Sequence, residues 1–437
     1  MIRRILERLG LSGRKRRPTP FDEIVVRMVE NEIETFERQI AAREAGTPYV
    51  LLAPAVPLPA SSPAGWFGGA PDLPEDVPWP DHDGEPLRFA CQIDLAALPA
   101  DLWGGLGPRH GWLAVFFHPD DVICRVLHVD GAVQTREGPP QKDASWFQPR
   151  PSQAGGPVPD YSPRWPIVAT CRTGDLPPHL MRRKGYVPDC PDPREAEIPD
   201  LTDPAYQPFD AATLTALLEA VGKDIDKDRR TILALLAKTL RDGDRTTLFR
   251  MQDASRDAAT QFAAIRAELS PFEQRFDLTE VRRRVPLIAA LPAFRVTYQD
   301  NDKEGYAALD LATRTIAAAL KEGRRPLWYF DYRAQLHRDA IHAYTRRPEA
   351  LPEALRAHME AIWRFDALHE QAGMGHAPCR HLYTPYGQDT PNELLLELPS
   401  SELVGWAWGD LYSIALFIDR GDLARGNFDD VTCEISN

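Results

Sequence analysis

The chain predicts an α+β fold in which two related β-rich halves form an internal pseudo-repeat, with a large helical region inserted between them and a helix at the N-terminus. Three observations predict it. Leu87 to Leu95 alternate apolar and polar, and Gly111-Trp112-Leu113-Ala114-Val115-Phe116-Phe117 follow, apolar on both faces; these read as a half-buried strand and a central one. From about Asp210 to Ala372 apolar residues recur at spacings of three and four, the helical period. Strand patterning then returns in Asn392 to Leu398 and Leu411 to Ile418, with Asp422-Leu423 behind them as Asp121-Val122 stand behind the first set. Two β units, each unable to close its own core, would bury their apolar faces against one another across an approximate two-fold. The predicted divisions are 1–46, a basic leader and amphipathic helix; 47–209, an N-terminal β-rich half with a Pro-rich wrapping segment; 210–365, the helical insertion; and 366–437, the C-terminal β-rich half.

Taken in order, residues 1 to 17 hold seven Lys/Arg against the single Glu7, with Ile2, Ile5, Leu6 and Leu9 at helical spacing beside the cations. This is the make-up of a short segment attracted to anionic lipid, so peripheral membrane contact through residues 1–17 is one expectation and a solvated terminus the other. A helix follows, opened by Thr19 as N-cap and Pro20 at its first position. Its stripe of Phe21, Ile24, Val25, Met28, Val29, Ile33, Phe36 and Ile40 is expected to pack on the body or, alternatively, to bind a partner, and Gly46 ends it. Tyr49 to Ala53 are extended. Gly68-Gly69-Ala70-Pro71-Asp72-Leu73-Pro74, closing on Val77-Pro78-Trp79-Pro80, forces a rigid path: two glycines free in φ, four prolines fixed in it, and an indole that seeks burial beside one polar partner. Val122 to Val129 form a further strand before a turn at Asp130-Gly131. Residues 136–209 are Pro-rich with scattered aromatics and read as a long irregular wrapping segment. Helical segments are expected at Leu214 to Val221, Ile232 to Leu240, Phe262 to Leu269, Leu278 to Leu291, Ala307 to Leu320, Leu327 to Tyr344 and Leu355 to Leu368. The run Lys223 to Arg230 is read as solvated surface.

Composition narrows the function classes. The 437 residues are 43% hydrophobic and 26% charged, ordinary for a globular chain large enough for two or three cores. There is no run of 18 apolar residues and no signal-peptide pattern, so a cytoplasmic, bacterial-type protein is expected. The net charge is −13, and outside the basic leader the chain is more acidic still, which argues against nucleic acid as the main ligand. Cys91, Cys124, Cys171, Cys190, Cys379 and Cys433 are scattered without a CxxC; this fits a reducing compartment, with most of the six expected as buried small hydrophobes.

The residues Gly68-Gly69-Ala70-Pro71, Leu73-Pro74, Trp79-Pro80, Pro86-Leu87, Phe89, Gln92-Ile93-Asp94-Leu95 and Leu98-Pro99, then Leu394 to Leu396, Trp408-Gly409-Asp410, Asp422-Leu423 and Phe428-Asp429, stand in an order that resembles the YwqG-like family, a bacterial domain family of unknown function. The resemblance covers residues 48–130 and 366–437 and leaves the helical middle outside. His369-Glu370-Gln371-Ala372-Gly373-Met374 match in part the family's His-x3-Gly-Tyr segment. The resemblance implies an α+β fold with a pseudo-repeat and brings no activity or cofactor.

Two groups of residues are candidate sites. His369, His376, Cys379 and His381 cluster, and Cys379 and His381, two apart in an extended chain, would point one way and reach one zinc ion; hydrogen-bonded histidines at the junction of the two halves are the plainer reading, and no resident cofactor is expected. Trp79, Gln92, Asp94, Trp406, Trp408 and Asp410 form the candidate ligand-binding set, with the two indoles on one face of an extended segment; core and turn roles are the alternative. Taken together these features predict a non-catalytic protein-interaction module, of immunity or escort type, steered onto its partner by charge. The alternatives are a metal-dependent or Cys/His hydrolase at the cleft between the halves, and a small-ligand sensor.

Overall fold

The computed structural model describes residues 48–59, 63–139, 146–147, 163–174, 206–301, 303–321, 327–375 and 392–435, with 46, 177, 180, 192 and 193 besides. The leader and N-terminal helix expected in 1–46 lie outside the described residues, Gly46 apart. The chain divides into two compact units, one of residues 1–149, 159–191 and 363–437, the other of 150–158 and 192–362.

The first unit is built on strands β1 (Pro48–Pro54), β2 (Gly65–Phe67), β3 (Asp72–Leu73), β4 (Asp81–His82), β5 (Glu85–Pro86), β6 (Arg88–Asp94), β7 (Trp112–Phe117), β8 (Cys124–Val129), β9 (Gln134–Thr135) and β10 (Trp165–Thr173). The other unit contributes β11 (Pro292–Asn301) and β12 (Ala307–Thr315), and the first resumes with β13 (Ala372–Gly375), β14 (Asn392–Pro399), β15 (Ser413–Asp419) and β16 (Thr432–Ile435). Ten strands form one antiparallel sheet in the order β16-β15-β14-β13-β1-β10-β2-β6-β7-β8. At its centre β1 pairs with β10 from Pro48↔Thr173 to Pro54↔Ile167. The sheet curls until its two edges meet: Cys124 Sγ donates to the carbonyl of Val431 at 3.6 Å and Arg125 to that of Asp429 at 3.2 Å. Curling of this kind hides edge strands that would otherwise invite pairing with another chain.

The central strand β10 corrects the expectation of irregular structure over 136–209. Trp165 and Ile167 are fully buried and the β-branched Val168, Thr170 and Thr173 suit a pleated surface; a sequence window that mixes them with prolines loses the period, whereas two flanking strands restore it. Between β6 and β7 a short 3₁₀ segment (Leu102–Gly105) puts Trp103 at φ 54° with no exposure, and its indole N–H donates to Leu394 O of β14 at 3.0 Å. Cysteines divide between environments: Cys91 and Cys124 are buried, Cys433 is half-buried and Cys171 exposed. Cys171 departs from the expectation because it lies in the outer part of β10, where the strand's other edge has left β2 behind.

The second unit carries α1 (Ala211–Leu236), α2 (Asp242–Gln274), α3 (Leu278–Ala289), α4 (Ile316–Lys321), α5 (Leu327–Arg346) and most of α6 (Glu353–His369); a last helix, α7 (Arg420–Arg425), belongs to the first unit. Asp210 caps α1 with Thr213 in a reciprocal capping box. Leu214, Leu217, Leu218 and Val221 of α1 meet Phe262, Ile265 and Leu269 of α2 and Val281, Val285 and Ile288 of α3 in one core. The segment Ala307 to Leu320 is not one helix: Ala307–Thr315 is a strand hydrogen-bonded to β11, and Leu309 and Leu311 pack on Ile232, Leu248 and Met251. Its alternation of Leu309, Leu311 and Thr313 with Asp310, Ala312 and Arg314 has period two, and the partner strand decides between that and the weak helical spacing.

The run Lys223 to Arg230 is not solvated throughout. Lys223, Asp226, Lys227, Arg229 and Arg230 are exposed, whereas Asp224 and Asp228, one turn apart on α1, are half-buried. Burial, then repulsion from Asp224, pushes the Asp228 carboxyl up to about 7, against the opposing pull of Lys227 and the Phe294 N–H. A folded-state value above the unfolded one means that the folded protein holds a proton the unfolded chain releases. Stability from this group is therefore fully present below pH ~4 and is lost as pH rises to about 7. The expected result for Asp228→Asn is a gain of about 2 kcal/mol at pH 8 and a flatter stability profile between pH 5 and 8; denaturant unfolding across that range checks it, and an unchanged slope counts against the assignment.

Candidate functional site

Strand alternation sorts the aromatic residues of the first unit onto two faces. Phe116 of β7 packs against Trp79 and Phe89, at ring separations of 5.4 and 5.5 Å, while its neighbour Phe117 packs against Trp408 at 5.0 Å and Phe147 at 6.4 Å. Successive strand residues point to opposite sides, so these are separate clusters.

The Phe117 side holds the denser one. Trp408 also meets Phe147 at 5.4 Å, Trp146 at 6.0 Å and Trp406 at 5.9 Å, and Trp406 lies 5.2 Å from Phe67. The turn after β14 places both indoles. Ser401 bridges Trp406 through its N–H and C=O, Gly405 takes φ 83°, and Gly409 and Leu411 take φ 51° and 73°. The Trp408 N–H donates to Ser400 Oγ at 2.8 Å, and its carbonyl accepts from Leu411 and Tyr412 at 3.0 Å. Trp406 and Trp408 are 3% and 0% exposed, yet among the described residues neither indole Nε1–H has a hydrogen-bond acceptor, and the buried Ser401 hydroxyl has no partner either. A buried donor without an acceptor costs roughly 1–3 kcal/mol, so three in one turn is a concentration of unused donor capacity. Arg88 stands over the Phe147 ring at 5.4 Å and adds positive charge beside the cluster.

Trp79, Gln92 and Asp94 occupy the other side of the sheet. Trp79 is half-buried, less than its sequence context suggested, because its N–H already reaches Leu87 O at 2.8 Å at the rim of the Gly/Pro passage. Gln92 is fully buried, and its amide takes the Asp72 N–H at 2.9 Å and gives to Asp72 O at 3.0 Å. It thus serves as one rung of a ladder that holds the passage to β6. Asp94 caps the turn after β6 by accepting from Ala96 N at 2.9 Å. Asp410 is exposed in the turn beyond Trp408. Of the six candidate ligand residues the fold therefore unites Trp406 and Trp408. Phe67, Phe117, Phe147 and Ser401 were missed: each is an ordinary core residue locally, and the odd–even offset of Phe116 and Phe117 was the one available signal.

His369 ends α6, where its Nδ1 donates to Phe365 O at 2.7 Å and its ring stacks on Phe365 at 4.1 Å. His376, Cys379 and His381 lie outside the described residues. Among the described residues no three His, Cys, Asp or Glu side chains are grouped as metal ligands. A second feature not legible beforehand is Glu397, 1% exposed in the apolar strand β14, which accepts from Ser413 Oγ at 2.7 Å.

No curated protein matches the chain. A family model described as "Domain of unknown function (DUF1963)" matches residues 66–145 and 251–436. The second segment takes in helices from within α2 onward. With the Gly/Pro passage, the strands β6 to β8 and the Trp406–Trp408 turn all inside the matched segments, the chain belongs to the DUF1963 family.

Proposed function

We propose that this protein binds a small ligand in the aromatic cluster of its first unit, with Trp406, Trp408 and Ser401 as hydrogen-bond donors and Phe67, Phe117 and Phe147 as walls. The observation that carries the reading is the pair of buried indole N–H groups, two residues apart, that find no acceptor among the described residues. Indole is a donor and never an acceptor, so the complementary molecule supplies oxygen acceptors on a body that stacks on rings: a peptide-like carbonyl or a sugar. The same reading takes the unit as an internal pseudo-repeat of YwqG-like type. It is supported by the strand order, in which β2, β6, β7 and β8 run outward on one side of the β1–β10 pair and β13 to β16 on the other.

A protein partner of immunity or escort type is the second reading, favoured by the net charge of −13. A thermal-shift screen of saccharides, short peptides and amides against the full chain, followed by titration calorimetry of each hit, tests the first. Trp408→Phe and Trp406→Phe keep a ring and remove the N–H, and each is expected to weaken binding about tenfold, the worth of one hydrogen bond. Hits whose affinity ignores both substitutions, or no hit beside a saturable protein partner of basic charge, would transfer the function to the second reading.

A further inference from the structure

The two edges of the ten-stranded sheet, β8 and β16, close on each other with no ladder between them among the described residues. Two cysteines stand at that seam. Cys124 opens β8 and is buried; Cys433 lies within β16 and is half-buried. Cys124 Sγ donates to Val431 O at 3.6 Å, two residues before Cys433, so the Cys124 thiol lies against the edge strand that carries Cys433. Arg125 binding Asp429 O at 3.2 Å holds the same strands in register. We propose that Cys124 and Cys433 are a redox latch whose oxidation to a disulfide joins β8 to β16 and closes the sheet covalently. This goes beyond the ligand reading and does not depend on it.

The chemistry balances with a low-molecular-weight disulfide such as oxidised glutathione. The Cys433 thiolate attacks one glutathione sulfur, forming a mixed disulfide and releasing one glutathione thiol. Cys124 then gives up its proton and attacks the Cys433 sulfur, forming the protein S–S bond and releasing the second glutathione. The two protein thiols lose two electrons, the glutathione disulfide gains them, and two protons end on the released thiols. Cys433 is the point of entry because it is the accessible member. Interaction with the neighbouring Cys124 thiol, then burial, holds its thiol well above the usual range, so oxidation is slower than at a free surface cysteine. A buried bridge, once made, is shielded from reductants in turn. Cys171, exposed on β10, is the internal comparison.

The full-length chain is incubated in oxidised or reduced glutathione, alkylated, and mapped by mass spectrometry without reduction. The expected product is a Cys124–Cys433 linked peptide pair, with a thermal midpoint for tryptophan fluorescence raised by roughly 5–10 °C over the reduced protein. Cys433→Ser abolishes both the link and the shift, and Cys171→Ser leaves both in place. Reduced Cys433→Ser matching the reduced wild-type midpoint shows that the variant is folded. Recovery of Cys433 as a lasting glutathione adduct, or of both residues as alkylated thiols after full oxidation of Cys171, overturns the proposal.

Discussion

Gly65→Ala is expected to destabilise the first unit by about 3–5 kcal/mol. Gly65 opens β2 at φ 138°, a conformation that side chains rarely adopt. A Cβ there would lie 2.1 Å from the carbonyl oxygen of Gln92 and 2.9 Å from the Cα of Ile93. Both are backbone atoms of the strand that β2 pairs with, through Gly65↔Ile93 and the bond from Asp94 N to Ala64 O at 2.8 Å. No rotamer relieves such a clash, so β2 must part from β6, and Gln92 loses its alignment with Asp72. Gly84→Ala is the control: φ is 82°, but nothing lies within 4 Å, so the cost is backbone strain of about 1 kcal/mol. Urea unfolding of the two variants separates clash from strain. A Gly65→Ala loss no larger than that of Gly84→Ala would mean that β2 does not sit against β6 as described.

Trp408→Ala is expected to cost about 3–5 kcal/mol and to abolish ligand binding. The indole is 0% exposed and touches four other aromatic rings, so truncation opens a large cavity walled by stiff side chains that collapse poorly. Trp79→Ala provides the contrast. That ring is half-buried at the sheet's other face, with Phe116 at 5.4 Å, and its removal should cost about half as much and leave the binding of any Trp408-dependent ligand unchanged. Equal losses of binding in both variants would join the two faces into one site and refute their separation by the alternation of β7.

Much of this could be read from residues whose neighbours in space are also neighbours in sequence. The alternation of Leu87 to Leu95 locates β6, the apolar run to Phe117 locates β7, and the Trp406–Trp408 spacing brings two indoles to one cluster. Three-residue and four-residue spacings locate α1, α2 and α3. The failures have different causes. Trp165–Thr173 is a central strand because β1 lies alongside it, and that partner is more than a hundred residues away in sequence. Ala307–Thr315 is a strand rather than a helix because β11 offers it a ladder. Asp228 is pushed toward neutrality by a half-buried site on α1 that a run of alternating charges conceals.

The sequence settled the α+β class, the positions of the strongest strands and helices, and which residues are aromatic, charged or restricted in φ. Those properties are local: they depend on side-chain period, β-branching and the conformational limits of glycine and proline. The fold settled which face of the sheet each aromatic joins, that Gln92 is a backbone clamp and Trp79 a rim residue, that Ser401 and two indoles share unused donors, and that Cys124 lies against the edge of β16. Face, burial and proximity arise from pairing between segments distant along the chain. Since every candidate ligand residue fits a core or turn role equally well in isolation, the three-dimensional pairing alone separated buried donors left without acceptors from the fasteners of a scaffold.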